Sequence, residues 1–385
     1  MKLVWILTLT VALTAPGVVW GEPTLTHTDV FTSSREGYHT FRIPAIEMTA
    51  DGSLIALAEA RKYNRSDPGH NDNDIDLVLK RSTDGGKTWS KLQVLDDPGE
   101  KWSACNPTTL LDRETGRVWI FHCRTKPGRS SSTSRPGTDD AQAWARWSDD
   151  NGTTWSVPID LTSVARDVDN WGGAFFGPGG PIQTKQGRLI VPLNRTTGRR
   201  NADGKLVGGS WNAFVIHSDD HGRSWQRGQL FSQRDEGNEN QLVELADGRV
   251  LMDVRQMRGP HRWLATSQDG GQSWSMPRPG QLVTPVACAI ERYTLKSAGD
   301  DRNRIVWTGP KGPGRAKLVV RVSYDEGHTF TGERLISDEA AAYSDLTILK
   351  NKNVGVLWER GDYRFITFTQ FNLEFLEPAT PGPDR

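Results

Sequence analysis

In the stretch YHTFRIPAI, residues 38–46, Arg42 stands among Phe41, Ile43, Pro44, Ala45 and Ile46, an apolar run that reads as a buried strand. A guanidinium cannot shed its charge, and stripping water from it without a partner is prohibitive. An anion must therefore meet it, either an internal carboxylate or an anionic ligand. Arg255 in MDVRQ, after Leu251 and Val254, and Arg315 in GPKGPGRAKLVV, entering an apolar strand, raise the same question. Three such arginines converging from separate strands would bind a planar anion, because arginine holds carboxylates through paired, charge-assisted bonds. Taken singly, each also fits an ordinary surface or ion-pair role.

Convergence needs a frame that repeats, and repeats are present. STDGGKTW (82–89), SDDNGTTW (148–155), SDDHGRSW (218–225), SQDGGQSW (267–274) and SYDEGHTF (323–330) share one pattern. In each, Asp can bind backbone amides just ahead, Gly supplies a positive φ, Ser or Thr ties down the return, and the aromatic ring wedges between sheets. These are structural staples. Upstream of them, tight turns lead into apolar strands in ADGSLIALAE, ETGRVWIFHC, KQGRLIVPLN, ADGRVLMDVR, DRNRIVWTGP and NKNVGVLWER. Six entry turns, five staples and no long amphipathic helix between them predict an all-β fold, a six-bladed β-propeller with Asp-box turns over residues 22–375. The last blade lacks a staple, so an N-terminal strand is expected to complete it. Residues 376–385 read as a disordered tail.

Composition narrows the partners. Lys plus Arg and Asp plus Glu both total 47, which leaves no bulk field for nucleic acid or an anionic membrane. The first 21 residues carry Lys2, an apolar run and small residues Val19 and Gly21, a secretory signal pattern with cleavage after Gly21. Pro16 and Gly17 interrupt the run too early for a membrane span. A secreted or periplasmic monomer is expected. Of the three cysteines, Cys105 and Cys123 flank one turn symmetrically; a disulfide and a pair of free core thiols both fit. No metal constellation stands out, and no cofactor is expected.

FRIP together with several S-x-D-x-G-x-T-W boxes resembles the exo-sialidase, or neuraminidase, superfamily, from about Val30 to Phe371. The boxes alone also occur in non-catalytic propellers such as sortilin-like receptors, so the other segments carry the likeness. AEARKYNRSD resembles the family segment in which an arginine precedes the catalytic aspartate, implying Arg61 and Asp67. NENQLVEL implies Glu239 as the base that serves the nucleophile, and Arg255 and Arg315 match the second and third carboxylate-binding arginines. AAAYSDL implies Tyr343 as nucleophile, and LWERG implies Glu359 as the partner that orients Arg42. After Asp67 the chain runs PGHNDNDIDLVL, longer than the family's usual segment, which leaves Asp72 or Asp74 as alternatives for the acid; Asp76 reads as a strand residue.

The resemblance implies a retaining exo-α-sialidase acting on sialylated glycoproteins, glycolipids or oligosaccharides. Sialic acid bears a carboxylate on its anomeric carbon, so a neutral tyrosine avoids the repulsion that an Asp or Glu nucleophile would meet. A phenol with an ordinary pKa near 10 needs a base beside it. The Asp67 loop is expected to shield its carboxyl from the arginines, because a nearby guanidinium would drive it to ionise. Arg61 is expected to touch the hydroxyl side of the sugar. Two rivals stay open: a glycan-binding propeller without activity, and a relative that transfers the sugar or releases an anhydro product. Trp102, Trp171, Trp211 and Trp263 could wall an acceptor site, or simply pack between blades.

Overall fold

The structure, a computed structural model, describes residues 21–200, 206–231 and 237–378. All but Gly21 of the expected signal segment, residues 1–21, and residues 379–385 of the expected tail lie outside the described residues. The fold is all-β. Antiparallel runs follow one another in chain order, the first made of Thr40–Met48, Leu54–Arg61, Ile75–Ser82 and Gln93–Asp96. The long strand Thr331–Ile348 serves two runs: Thr331 to Ala340 pair with Ala316–Ser323, and Ala341 to Ile348 pair with Val354–Arg360. Phe365–Phe371 follows, and the N-terminal strand Leu25–Thr32 closes this last run, with Leu25 opposite Phe371.

The staples form through bonds that reach only four residues. Asp84 accepts from the amides of Lys87 and Thr88 and from the Thr88 hydroxyl, while Ser82 Oγ accepts from Gly86 N. The Thr88 hydroxyl and its other donors hold the Asp84 carboxyl down at about 2. Gly86 has φ +86°, and a Cβ there would lie 2.1 Å from the Phe368 ring. This turn of the first run therefore seats directly on the last one, and Trp89 meets Phe368 edge-on at 5.6 Å. Local turn chemistry thus also docks neighbouring sheets.

The innermost strands neighbour one another in a cycle. Thr40–Met48 lies beside Ser103–Leu111, followed by Ile182–Gln183, Gly237–Glu244, Ala289–Thr294 and Thr331–Ile348, which returns to Thr40–Met48. At the axis Gln241 and Asp345 knit them together. Gln241 Nε2 donates to Asp345 Oδ1 (3.0 Å), Gln241 Oε1 accepts from Ile290 N, and Asp345 Oδ2 accepts from Ile46 N.

One expectation changes, and one open choice closes. Leu376 is buried, and Glu377 pairs with Arg304 (2.6 Å) and Tyr324, so the packed chain extends past residue 375. Cys105 and Cys123 lie directly opposite each other in register, and both are buried free thiols. Burial pushes the Cys123 thiol up to about 12. Among the described residues no helix is long and apolar enough to cross a membrane.

Candidate active site

At one end of the axis the innermost strands break register at the residues that sequence singled out. Pairing slips between Arg42 and Ala45, between Gly237 and Asn240, and between Ala341 and Ser344. A bulge turns a side chain that would otherwise alternate into the sheet, and here the bulges bracket Arg42, Glu239 and Tyr343. Ile43 takes φ +56°, a conformation that a β-branched residue avoids. Its amide donates to Glu359 Oε1 (2.9 Å), which holds that strained backbone in place.

Glu359 is fully buried and organises two of these strands. Its carboxylate takes Arg42 Nε (2.5 Å) and Nη2 (3.3 Å), the Ile43 amide, and the Tyr343 amide (3.1 Å). The Arg42 guanidinium works against burial, but Glu359 outweighs that cost and holds its pKa above the usual range. The Tyr343 hydroxyl donates to Glu239 Oε1 (2.6 Å) and accepts from Arg255 Nη1 (2.7 Å), and the same nitrogen reaches Glu239 Oε2 (2.5 Å). Three guanidinium carbons surround the Tyr343 ring: Arg42 at 5.5 Å, Arg255 at 6.0 Å and Arg315 at 5.4 Å from its centroid. Burial drives the Tyr343 phenol well above its ordinary pKa, and Glu239 adds to that, while Arg255, Arg315 and Arg42 pull it back. The phenol is therefore neutral, with a carboxylate in contact to receive its proton.

Asp67 reaches the mouth and is not shielded. Its Oδ1 lies 2.9 Å from Arg61 Nη1 and 3.7 Å from Arg42 Nη1. Loss of water around it favours the neutral acid, but Arg61 and then Arg42 outweigh this and hold its pKa below the usual carboxylate range. Arg61 is fully buried, with Nε and Nη2 on Glu59 Oε2 and Nη1 shared between Asp67 and the Arg65 carbonyl. It anchors the Asp67 loop.

The other acids of that loop point elsewhere. Asp72 pairs with Lys101, and Asp74 accepts from Lys101 N and pairs with Lys62 (2.9 Å). Asp76 is bonded by Tyr38 OH (2.6 Å). Asp74, Asp76 and Asp97 come close enough together to hold a cation, and Lys62 Nζ sits among all three. Trp171 and Trp263 pack against core clusters, Trp171 edge-on to Phe214 at 5.5 Å. Trp102 and Trp211 are half-buried.

Sequence reasoning passed over Asn106 and Tyr363. Asn106 lies in a fourth bulge, between Cys105 and Thr108, also at φ +56°, with its amide on Glu59. The signal was available, since Asn106-Pro107 inside a strand copies Ile43-Pro44. Tyr363 packs its ring on Arg42, 4.1 Å from centroid to guanidinium carbon, and accepts from Arg315 Nη1 (2.9 Å).

Comparison with known proteins bears on this arrangement. The profile of the BNR repeat-like domain family matches residues 52–356. A sialidase from Micromonospora viridifaciens is 33% identical over 378 residues, which cover 94% of this chain and 56% of that protein. The chain therefore spans little more than half that relative's length. A Hadza microbial sialidase of known structure superposes with a TM-score of 0.78 at 25% identity, over 88% of this chain and 67% of that one. An intramolecular trans-sialidase from Ruminococcus gnavus, in complex with oseltamivir carboxylate, shares the fold at a TM-score of 0.74 and 19% identity, over 91% of this chain and 98% of that one.

Proposed function

The chain belongs to the BNR repeat-like domain family, and we propose that it is a secreted exo-α-sialidase built on six four-stranded propeller blades, hydrolysing terminal α-linked sialic acids with retention. The observation that carries this reading is the bonded chain Arg255–Glu239–Tyr343 ringed by Arg42 and Arg315. A binding module has no use for a phenol held 2.6 Å from a base; a nucleophile does.

The roles follow from the chemistry. Arg42, Arg255 and Arg315 take the substrate carboxylate and offset charge around an oxocarbenium-like transition state. Tyr343 Oη attacks the anomeric carbon while Glu239 Oε1 accepts its proton, so negative charge arises only as the bond forms. Asp67 gives a proton to the leaving glycosidic oxygen, and the aglycone departs as an alcohol. Asp67, now a carboxylate, deprotonates the water that opens the tyrosyl intermediate, and Glu239 returns its proton to Tyr343.

Asp67 is ionised when the site is empty, so the acid must be made by binding. A substrate carboxylate engages Arg42 and so weakens its pull on Asp67, and it adds a second negative charge nearby. Both effects raise the Asp67 pKa toward the protonated form that the first step needs. Arg61 stays in contact with Asp67 and limits the rise, which ties acid formation to the presence of an anionic substrate.

The test is hydrolysis of an aryl α-sialoside followed by proton NMR. Early release of the α-anomer establishes a retaining hydrolase. A 2,7-anhydro product would mean intramolecular transfer instead, and no turnover on any sialoside would leave a glycan-binding propeller.

A further inference from the structure

Arg42 and Arg255 are each held by a carboxylate, Glu359 and Glu239. Arg315 differs: among the described residues no Asp or Glu pairs with it, and its one side-chain hydrogen bond is to the hydroxyl of Tyr363. The same tyrosine lays its ring against Arg42 more closely than Tyr343 does, at 4.1 Å against 5.5 Å. One neutral side chain thus touches two guanidinium groups from outside the proton-transfer chain.

The backbone that delivers Tyr363 is unusual. Gly361, Asp362 and Tyr363 have φ of +63°, +54° and +66°, three left-handed residues in succession, two of them not glycine. Non-glycine residues rarely adopt that region, so the hairpin is held by its surroundings. The Gly361 amide donates to the Ala340 carbonyl (2.9 Å), and Ser33 Oγ donates to the Tyr363 carbonyl (2.7 Å). A strained turn fastened from two sides, with its ring and hydroxyl both spent on arginines, is unlike a loop tip that merely covers a surface.

We propose that Tyr363 is a positioning residue that presets Arg42 and Arg315 for a planar carboxylate without neutralising either; this rests on the sialidase reading above. A carboxylate in its place would hold the arginines as firmly, but it would compete with the ligand for the same bonds. A phenol orients Arg315 through a neutral acceptor and Arg42 through its ring face, and it leaves both charges to the substrate. The contribution is to binding of the carboxylate, present in ground state and transition state alike, so it belongs in KM more than in kcat.

The experiment uses the full chain and its Tyr363→Phe and Tyr363→Leu variants, with aryl α-sialoside kinetics and calorimetric binding of 2,3-didehydro-2-deoxy-N-acetylneuraminic acid. Tyr363→Phe loses only the Arg315 contact and raises KM and Kd about 3- to 10-fold; Tyr363→Leu loses both and raises them about 10- to 50-fold. The kcat of each stays within about threefold. In an Arg315→Met background, Tyr363→Phe adds less than about twofold, because its partner is already gone. Wild-type binding by both variants, or the same added penalty in the Arg315→Met background, overturns the proposal. So does a loss of kcat in step with melting temperature, the mark of a merely structural residue. If the wild type neither hydrolyses the sialoside nor binds the analogue, the sialidase reading fails and this inference with it. A working wild type with indifferent variants defeats the inference alone.

Discussion

The two ends of the central axis are built on the same strands and treat charge in opposite ways. Arg42 and Glu47 share Thr40–Met48, and Tyr343 and Asp345 share Thr331–Ile348. At the mouth, guanidinium groups keep their charge through Glu359, Glu239 and the face of Tyr363. At the other end, beyond the Gln241–Asp345 bonds, a cavity of about 390 Å³ is lined by Glu47, Glu291 and Asp345. No cation pairs with these three carboxyls among the described residues: Lys185 Nζ bonds the Ala246 carbonyl, Arg113 Nη2 bonds the Gln183 carbonyl, and Arg292 pairs with Glu326, while Glu244 accepts from the Lys185 amide. Burial pushes Glu47 up to about 8, Glu291 to about 7 and Asp345 to about 6, and repulsion from the neighbouring carboxyls adds to the rise of Glu47 and Glu291. A carboxyl answers burial by taking a proton, whereas a guanidinium has no such exit and must be given a partner. The lesson is that three arginines in apolar strands commit the fold to an anion, while three carboxyls commit it to nothing.

The largest expected effect comes at Tyr343, the proposed nucleophile. Tyr343→Phe keeps the ring among its arginines and removes the attacking oxygen, and Glu239→Gln keeps the shape and removes the base. Each is expected to lower kcat by about 10²–10⁴-fold, with melting temperature near that of the wild type, as read by stopped assays beside calorimetry.

The arginines themselves come next. Arg42→Met leaves Glu359 buried and unpaired, which costs about 3–5 kcal/mol of stability. Arg315→Met strands no carboxylate and costs under about 1 kcal/mol, while raising KM about 10- to 100-fold. Urea unfolding separates the arginine paired with a carboxylate from the one that is not. Equal destabilisation would erase the distinction drawn between them.

The smallest effect lies at the far end. Glu47 has a folded pKa of about 8 against 4.5 unfolded, so the native state retains a proton that the unfolded chain has released. Its stabilising contribution is fully present below about pH 4.5 and is lost as pH rises through 8. Glu47→Gln removes that dependence. The wild type should therefore lose more melting temperature between pH 5 and pH 9 than the variant does, modestly, because Glu47 is only half-buried. Parallel pH curves would show that Glu47 is ionised throughout.

What was legible in the sequence follows the reach of the interactions. The staples were plain because Asp84 finds all its donors within four residues. The candidate arginines were visible because charge inside an apolar strand is costly wherever it occurs. Their surroundings were not, since Arg42 and Glu359 lie 317 positions apart and no local pattern shows that Tyr363 will close over the same guanidinium. The contact of Asp67 with Arg61 and Arg42 and the burial of Arg61 beside Glu59 were not legible for that reason, because spacing within the loop shows neither. Ile43 at φ +56° runs against its own propensity, and only the Glu359 carboxylate from the far end of the chain explains it. The misplaced start of the tail has the same origin, because Glu377 is fixed by Arg304, 73 residues away.

The proposed mechanism requires a covalent bond between Tyr343 and the anomeric carbon of a sialic acid. It is tested most directly by mixing the protein with 2,3-difluorosialic acid, whose second fluorine slows breakdown of the intermediate, and mapping the adduct by peptide mass spectrometry. One sialyl group per chain is expected, on the peptide bearing Tyr343, absent in Tyr343→Phe and slow to form in Glu239→Gln. An adduct on Asp67 or Glu239, or rapid turnover of a natural sialoside with no adduct on Tyr343, would contradict it.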